Sequence, residues 1–341
     1  MSSSVDTQEG HAETNEELYQ RFTNLVSSWP CFPPVLSISV SQLYRHDEGW
    51  HSSLAPMVGT IVADACFTAR PSDIVVATLP KSGTTWIKAL LYSTVHLREH
   101  PVGSSDHPFN SLSPHECIKF FEYQLYTGNK IPDLDELPDP RIFATHAPFV
   151  SLPRSVLASG CKIVYVCRDP KDTLISLWSF VNKFRIRRGL EPLSVEATAD
   201  FFCDGVTLFG PYWDHVLGYW SAHLAHPEQV LFFRYEEMRR DPEAHTRRLA
   251  EFVGCPFSLE EQEEGGAVDA IVKLCSFEHM ISLQATMCGK TDAVIGAVDN
   301  SWFFRRGVVA DWQNHLSLET ARKIDAITEA RFKGTGLLVS G

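Results

Sequence analysis

The sequence predicts a single-domain α/β protein in which helices flank a central, mostly parallel sheet. First, β-rich apolar runs alternate with helix-like stretches, an order typical of βαβ units. Second, the runs at 74–77 and 163–166 are hydrophobic at every position, as expected for central strands that helices cover on both faces. Third, the chain has 341 residues, of which 44% are hydrophobic, which is enough for one large core.

The predicted elements follow this order along the chain. Residues 1–14 are rich in Ser and Glu and predict a disordered acidic tail, so the folded domain is expected over 15–341. A short amphipathic helix is predicted near 16–26, a strand over 73–79 and a helix over 87–97. Later strands are predicted at 141–145, 161–167 and 229–233, and later helices at 152–158, 170–187 and 234–252. Three long segments rich in Gly, Pro and Asp are candidate lids over a ligand pocket: 101–140, 189–210 and 286–300.

Composition excludes several classes of partner. The net charge of −12 opposes broad attraction to nucleic acid or anionic lipid, so a polyanionic ligand needs a few locally placed cations. Nine scattered cysteines without a C-x-x-C pair indicate reduced thiols and a cytoplasmic protein. The first thirty residues contain no apolar signal segment, and no apolar run reaches the length of a membrane span. We therefore expect neither nucleic acid nor membrane as a partner.

The most informative segment is the loop Pro-Lys-Ser-Gly-Thr-Thr-Trp at 80–86, between a strand and a helix. Free N–H groups and the dipole at such a helix N-terminus favour an anion. It is not a Walker A loop, because Lys81 precedes the only glycine, Gly83. The loop resembles the 5′-phosphosulfate loop of cytosolic sulfotransferases, which use 3′-phosphoadenosine 5′-phosphosulfate (PAPS); a turn without a ligand is the alternative. The resemblance implies these cofactor-binding residues: Lys81, Ser82, Gly83, Thr84, Thr85 and Trp86.

A second anion site is predicted at the start of the helix 170–187. Asp169 is expected to cap this helix. A cation just ahead of a helix N-terminus costs roughly 0.3–1 kcal/mol, so Arg168 is easier to explain if an anion lies between them. Pairing of Arg168 with Asp169 is the alternative. The segment Val-Cys-Arg-Asp-Pro-Lys-Asp-x-x-x-Ser resembles the 3′-phosphate segment of the same family, which implies that role for Arg168 and Ser176.

The segment 302–314 is similar to the family's Arg-Lys-Gly-x-x-Gly-Asp-Trp-Lys-Asn pattern. The similarity implies that Arg305, Arg306 and Gly307 complete the grip on the 3′-phosphate, with Phe303 and Phe304 beside them; a solvated basic pair is the alternative. The segment departs from the pattern at three positions: Arg306 for Lys, Ala310 for Gly and Gln313 for Lys.

The candidate base is His146, at the end of a predicted strand. A single His in such a place is often structural, but transfer to a hydroxyl needs a group that takes a proton near neutrality. The string Phe-Ala-Thr-His-x-Pro resembles the plant branch of the sulfotransferases, which implies His146 as general base. Lys81 would stabilise the leaving oxygen, and Ser176 would add a hydroxyl, so these three residues form the predicted catalytic set.

The remaining family positions concern the adenine. The resemblance places Tyr235 on the adenine side and the base between Trp86 and Phe277, with Cys275 and Ser276 nearby; core packing is the alternative for the aromatic residues.

The sequence as a whole predicts a plant-type sulfotransferase that uses PAPS and no metal to modify a small, largely apolar hydroxylated acceptor of the phenolic, flavonoid, steroid or oxylipin type. A monomer is favoured and a weak homodimer is possible. Aromatic residues that would line the acceptor pocket or belong to the core are Phe109, Phe120, Phe121, Tyr123, Phe184, Phe209 and Tyr212.

Three alternatives remain. A P-loop small-molecule kinase would need a Walker B carboxylate, for which Asp169 is the only candidate. A catalytically impaired protein that binds a nucleotide or small ligand is the second. The third is zinc binding through the H-x-x-E-H motif at 96–100.

Overall fold

The computed structural model describes residues 13–34, 39–263 and 266–337. The predicted tail, 1–14, lies outside the described residues except for Glu13 and Thr14. The strands are β1 (Cys31–Phe32), β2 (Leu43–Arg45), β3 (His51–Ser53), β4 (Ile74–Thr78), β5 (Lys119–Phe120), β6 (Ile142–Thr145), β7 (Lys162–Cys167), β8 (Val230–Arg234), β9 (Lys290–Thr291) and β10 (Val298–Asp299). The helices are α1 (Asn15–Ser27), α2 (Leu54–Cys66), α3 (Thr84–Val95), α4 (Pro114–Cys117), α5 (Arg154–Ser159), α6 (Pro170–Arg187), α7 (Val195–Cys203), α8 (Tyr212–Ala225), α9 (Tyr235–Arg240), α10 (Pro242–Phe252), α11 (Ala267–Leu274), α12 (Phe277–Ser282), α13 (Gln284–Met287) and α14 (Leu318–Phe332).

A five-stranded parallel sheet forms the centre, in the order β5-β6-β4-β7-β8. Val76 in the middle of β4 lies opposite Ala144 of β6 and Val164 of β7. Every residue of β4 is buried, as the apolar run predicts. The prediction of an α/β fold with a mostly parallel sheet is confirmed. Strand β5 has only two residues, too few for a periodic signal.

Helices cover both faces of this sheet and produce two hydrophobic clusters. Val75 and Tyr165 point into one cluster together with residues of α2 and α8. Val76 and Val164 point into the other, which α3, α10 and α11 complete. Alternate residues of a strand face opposite sides of a sheet, so one apolar run serves both cores.

Helix boundaries follow local capping chemistry. Helix α6 has the predicted bounds, and Asp169 caps it by accepting hydrogen bonds from the N–H groups of Lys171 and Asp172. The single helix predicted over 234–252 is wrong. Asp241 ends α9 and caps α10, and Pro242 has no N–H with which to continue the first helix.

The carboxyl ends of β4, β6 and β7 meet at one edge of the sheet, where ligands of parallel α/β proteins bind. The loops after these strands carry Lys81, His146 and Arg168. The antiparallel pair β9 and β10 lies over the same edge, and the Val294 N–H donates to the Tyr123 carbonyl at 2.8 Å. Within the described ranges, no helix combines the length and apolarity needed to cross a membrane.

Candidate active site

One cavity at this edge of the sheet brings most of the predicted site residues together. The lining residues are Lys81, Gly83, Thr84, Thr85, Trp86, His146, Arg168, Ser176, Tyr235, Cys275, Phe277, Phe303, Phe304, Arg305, Arg306 and Gly307. Two predicted residues are not part of the lining. Ser82 is fully buried, and the Ser276 side chain caps α12 by accepting from the His279 N–H.

The loop 80–86, here called the phosphosulfate loop, is shaped by left-handed backbone at two residues. Gly83 has φ 101° and caps α3, and Lys81 has φ 73°, which costs a non-glycine residue about 1–2 kcal/mol. A Cβ at Gly83 would come within 2.7 Å of the Tyr235 ring, so only glycine allows this approach. The hydroxyls of Thr78 and Thr84, 2.7 Å apart, tie the end of β4 to the first turn of α3.

The Lys81 side chain lies among aromatic rings and other cations. Its Nζ is 4.2 Å from the centre of the Phe180 ring. Burial, reinforced by the charges of Lys183, Arg168 and Arg305, lowers the pKa of Lys81 to about 7. No carboxylate of the described chain forms an ion pair with Lys81. Cations repel one another, so this cluster favours a polyanionic ligand.

Arg168 does not pair with Asp169. Its guanidinium lies 3.6 Å from Asp172, donates to the Val308 carbonyl at 2.9 Å and stacks 4.6 Å from the Tyr235 ring centre. Its Nε is buried and finds no hydrogen-bond partner in the described parts of the chain. A buried donor of this kind needs an acceptor, and a phosphate oxygen supplies one.

The segment 302–314, here called the C-terminal segment, is held by two buried carboxylates. Asp172 on α6 accepts hydrogen bonds from the N–H groups of Ala310 and Trp312, at 2.7 and 3.0 Å. Asp311 pairs with Arg305 and with Arg306. These pairs hold the pKa of Asp311 below its usual range, against the opposing effect of burial.

Within this segment, the Nε of Arg305 is buried without a described partner, as in Arg168. A Cβ at Gly307 would come within 2.5 Å of the Phe277 ring. The unpartnered Nε of Arg305 fits a phosphate group, and Gly307 leaves room for the Phe277 ring. The guanidinium groups of Arg168 and Arg305 therefore line one cavity.

His146, at the end of β6, lines the same cavity and has a defined proton arrangement. Its Nδ1 is 2.7 Å from the Thr78 carbonyl, which only accepts, so Nδ1 carries the proton and Nε2 the lone pair. Its backbone N–H donates to Glu122 at 2.7 Å, and His215 bonds to its carbonyl. Burial lowers the pKa of His146 to about 3, with a smaller opposing effect from the bond to Thr78. The imidazole is therefore a neutral base.

Sequence reasoning missed a buried polar group behind this site, formed by Lys88, His115 and Glu122. Burial raises the pKa of Glu122 to about 7 and lowers that of Lys88 well below its ordinary value. The available signal was a charged residue inside an apolar run: Lys88 follows Ile87, and Glu122 follows Phe121.

The aromatic residues predicted to hold the adenine lie in the cavity wall. The rings of Trp86 and Tyr235 meet edge to face at 5.5 Å, and Phe277 lies 6.0 Å from Phe304. The Cys275 thiol lies 3.7 Å from the hydroxyl of Ser93, which the sequence did not single out.

The three long segments contribute side chains to the opposite end of the cavity. Tyr123, Leu208 and Ile295 come from 101–140, 189–210 and 286–300, respectively. Of the seven predicted aromatic residues, the cavity is lined by Phe120, Tyr123 and Phe184. The others are buried in the hydrophobic clusters: Phe109, Phe121, Phe209 and Tyr212.

Two alternatives find no support in this geometry. The carboxylate of Asp169 is engaged in capping α6, unlike a Walker B carboxylate. His96 and His100 lie beyond the end of α3 at Val95. Among the residues that the structure describes, no three His, Cys, Asp or Glu side chains are close enough to hold a metal ion.

A phosphate-type loop, an arginine cluster and a neutral histidine in one cavity define a group transferase that uses a nucleotide donor. A model of the family described as sulfotransferase domain matches residues 71–336. Cytosolic sulfotransferase 17 of Arabidopsis thaliana is 44% identical over 310 residues, which is 86% of this chain and 88% of the relative.

Two solved structures agree with this assignment. A candidate steroid sulphotransferase of Arabidopsis thaliana has a TM-score of 0.74 and 36% identity, covering 97% of this chain and 99% of its own. Mouse sulfotransferase SULT7A1, solved with adenosine 3′,5′-bisphosphate (PAP), has a TM-score of 0.66 and 26% identity, covering 86% of this chain and 95% of its own. The chain belongs to the sulfotransferase family. This confirms the recognition and the enzyme class predicted from the sequence, a PAPS-dependent sulfotransferase.

Proposed function

We propose that this protein transfers a sulfuryl group from PAPS to a hydroxyl of a small, largely apolar acceptor. PAPS supplies the sulfuryl group and leaves as PAP. The observation that carries the proposal is that the neutral imidazole of His146 lines the same cavity as Lys81, Arg168 and Arg305.

Each residue has a role that follows from its position. The Nε2 of His146 takes the proton of the acceptor hydroxyl, because Nδ1 is already committed to Thr78. Lys81 stabilises the charge that grows on the leaving oxygen, and Ser176 adds a hydroxyl from α6. Arg168 and Arg305 hold the 3′-phosphate through their buried Nε groups.

The proposed acceptor class rests on the lining of the opposite end of the cavity. Most of these side chains are apolar or aromatic, among them Leu177, Val181, Phe184, Leu208 and Ile295. Such a surface suits a phenolic, flavonoid, steroid or oxylipin skeleton with one hydroxyl near His146. The steroid assignment of the Arabidopsis structure is compatible with this class.

The remaining proposals concern the cellular location, the oligomeric state, the domain bounds and the need for a metal. We place the protein in the cytosol, in line with the name of its Arabidopsis relative, and as a monomer with one domain over 15–341. No metal is assigned, because the SO₃ group carries less charge than a phosphoryl dianion.

The direct test is transfer from radiolabelled PAPS to a panel of hydroxylated acceptors, with the His146→Ala variant as control. We expect sulfated product from the wild type and a loss of roughly 10²–10⁴-fold in kcat for the variant. Equal turnover by the variant would remove His146 as base. PAP binding without product would favour the impaired binding protein, and transfer from ATP with magnesium would favour the kinase.

A further inference from the structure

A chain of buried polar groups runs from the interior of α3 to the phosphosulfate loop. The Nζ of Lys88 lies 3.2 Å from Nδ1 of His115, and Nε2 of His115 lies 2.9 Å from the hydroxyl of Thr85. Lys88 and His115 are almost fully buried, at 0% and 4% exposure, and both His115 and Thr85 border the cavity. The roles assigned so far use neither Lys88 nor His115.

The surroundings of Lys88 fix the direction of these bonds. Its Nζ donates to the Ile118 carbonyl at 2.9 Å and lies 3.3 Å from the centre of the Phe120 ring. A carbonyl oxygen and a π face both attract a proton donor and cannot supply one. Glu122, whose charge raises the pKa of Lys88 against the effect of burial, is the nearby anion. The Ile118 carbonyl, the Phe120 ring face and Nδ1 of His115 together match the three N–H groups of the charged form of Lys88, in which Lys88 donates to Nδ1 of His115.

The direction of the hydrogen bond from Lys88 determines the tautomer of His115. Burial and the charge of Lys88 lower the pKa of His115 well below its ordinary value, so the ring is neutral and carries one proton. Because Nδ1 accepts from Lys88, the proton resides on Nε2 and is donated to the Thr85 oxygen. The ring is fixed between Phe303 and Phe120, with centroid distances of 4.1 and 5.6 Å.

The consequence for Thr85 is that its oxygen accepts inside the protein and its own proton is free for the cavity. We propose that Lys88 and His115 are positioning residues that orient the Thr85 hydroxyl as a donor to the 5′-phosphosulfate group. Hydrogen bonds in a chain polarise one another, so donation from Lys88 to His115 strengthens the last donor. The inference deepens the proposed function and rests on PAPS binding in this cavity.

The test compares two nucleotides that differ only at the 5′ position: PAP, and adenosine 3′-monophosphate, which lacks the 5′-phosphate. His115→Phe keeps a flat ring and removes both hydrogen bonds, and Lys88→Met interrupts the chain at its start. We expect each variant to weaken PAP binding about tenfold by calorimetry and to leave binding of the monophosphate within twofold of wild type.

A double-mutant cycle and a rescue complete the test. His115→Phe should add nothing to Thr85→Val, because both changes remove the same donor, and His115→Gln should recover most of the lost affinity. The exposed His226→Phe is the matched control and should bind both nucleotides as the wild type does.

Equal weakening of both nucleotides, losses that multiply in the double variant, or a change only in the acceptor KM would overturn the inference. If His115→Phe does not fold, Lys88→Met and His115→Gln still decide the outcome. Failure of the proposed function is a separate result: the wild type binds PAP but produces no sulfated acceptor.

Discussion

The two anion-binding parts of the cavity are built in different ways. The phosphosulfate loop is continuous chain, in which β4, the five residues 79–83 and α3 place Lys81 by local backbone geometry. The arginine cluster joins Arg168 to Arg305, which are far apart in sequence, and depends on Asp172 and Asp311 to hold the C-terminal segment. Substitutions in the phosphosulfate loop should therefore lower kcat. Substitutions in the arginine cluster should lower the affinity for PAP and the stability of the fold.

The largest expected effect comes from the loop. Lys81→Met removes the charge that stabilises the leaving oxygen, so kcat should fall roughly 10²–10³-fold. The free energy of unfolding should not decrease, because Lys81 has no carboxylate partner within the described chain and burial already opposes its charge. Steady-state kinetics and urea unfolding measure the two quantities. A variant with normal kcat but weak PAP binding would place Lys81 with the arginine cluster instead.

The pH dependence of kcat/KM reports the protonation of Lys81 in the free enzyme, and that of kcat reports it in the enzyme with PAPS bound. The lowered pKa of Lys81, about 7, means that the free enzyme loses this positive charge as the pH rises above 7. We expect kcat/KM for PAPS to fall about tenfold per pH unit there, whereas kcat stays level to higher pH because the bound anion raises the pKa of Lys81.

His146 should contribute no acid limb near pH 6.5, because its pKa lies near 3. Lys81→Arg should abolish the basic limb, since guanidinium keeps its charge. A flat kcat/KM profile between pH 6 and 9 would contradict this assignment.

A substitution of Asp172 tests the arginine cluster. Asp172→Asn keeps the shape but loses one acceptor oxygen, so either the Ala310 or the Trp312 N–H loses its partner. We expect a loss of about 1–3 kcal/mol in stability and a weaker affinity for PAP, with kcat at saturating PAPS little changed. Calorimetry and thermal unfolding provide the measurements. A fall in kcat without a change in PAP affinity would show that the two parts do not divide the work as proposed.

The smallest expected effect concerns Ala310, which stands where the family pattern has glycine. This residue adopts φ 64°, a left-handed conformation that is unfavourable for alanine. Ala310→Gly should stabilise the fold by about 0.5–1 kcal/mol, because relief of strain exceeds the entropy that glycine adds to the unfolded chain. Asn129→Gly is the matched control, since Asn129 has φ 61° in an exposed turn and asparagine tolerates it. Equal stabilisation by both changes would indicate that strain at Ala310 is not special.

The difference between the locally built phosphosulfate loop and the arginine cluster, which joins distant segments, explains what could be predicted from the sequence. The strand at 74–78, the loop after it and α6 are encoded locally by β-branched residues, a glycine and a cap, and their predicted positions agree with the structure. The capping role of Asp169 was also predicted. The roles of Asp172 and Asp311 were not, because both depend on contacts between segments that only the fold brings together.

The buried group behind His146 shows a second limit. Lys88 has helical neighbours and would normally be predicted to face solvent, yet it is fully buried. Nothing in the local pattern indicates that Ile118, His115 and Phe120 supply acceptors and a ring face for its Nζ. The acceptor-side aromatic residues were equally ambiguous, since Phe120 lines the cavity and its neighbour Phe121 belongs to the core.

The separate origin of the cavity walls has a consequence for how such enzymes diversify. Sheet-edge turns and α6 form the end that we propose binds PAPS, whereas Tyr123, Leu208 and Ile295 come from three long connections. Insertions and replacements in long surface connections are tolerated better than changes in central strands. A duplicated gene can therefore acquire a new acceptor while keeping its donor, and exchange of these connections between relatives should transfer substrate preference without rebuilding the catalyst.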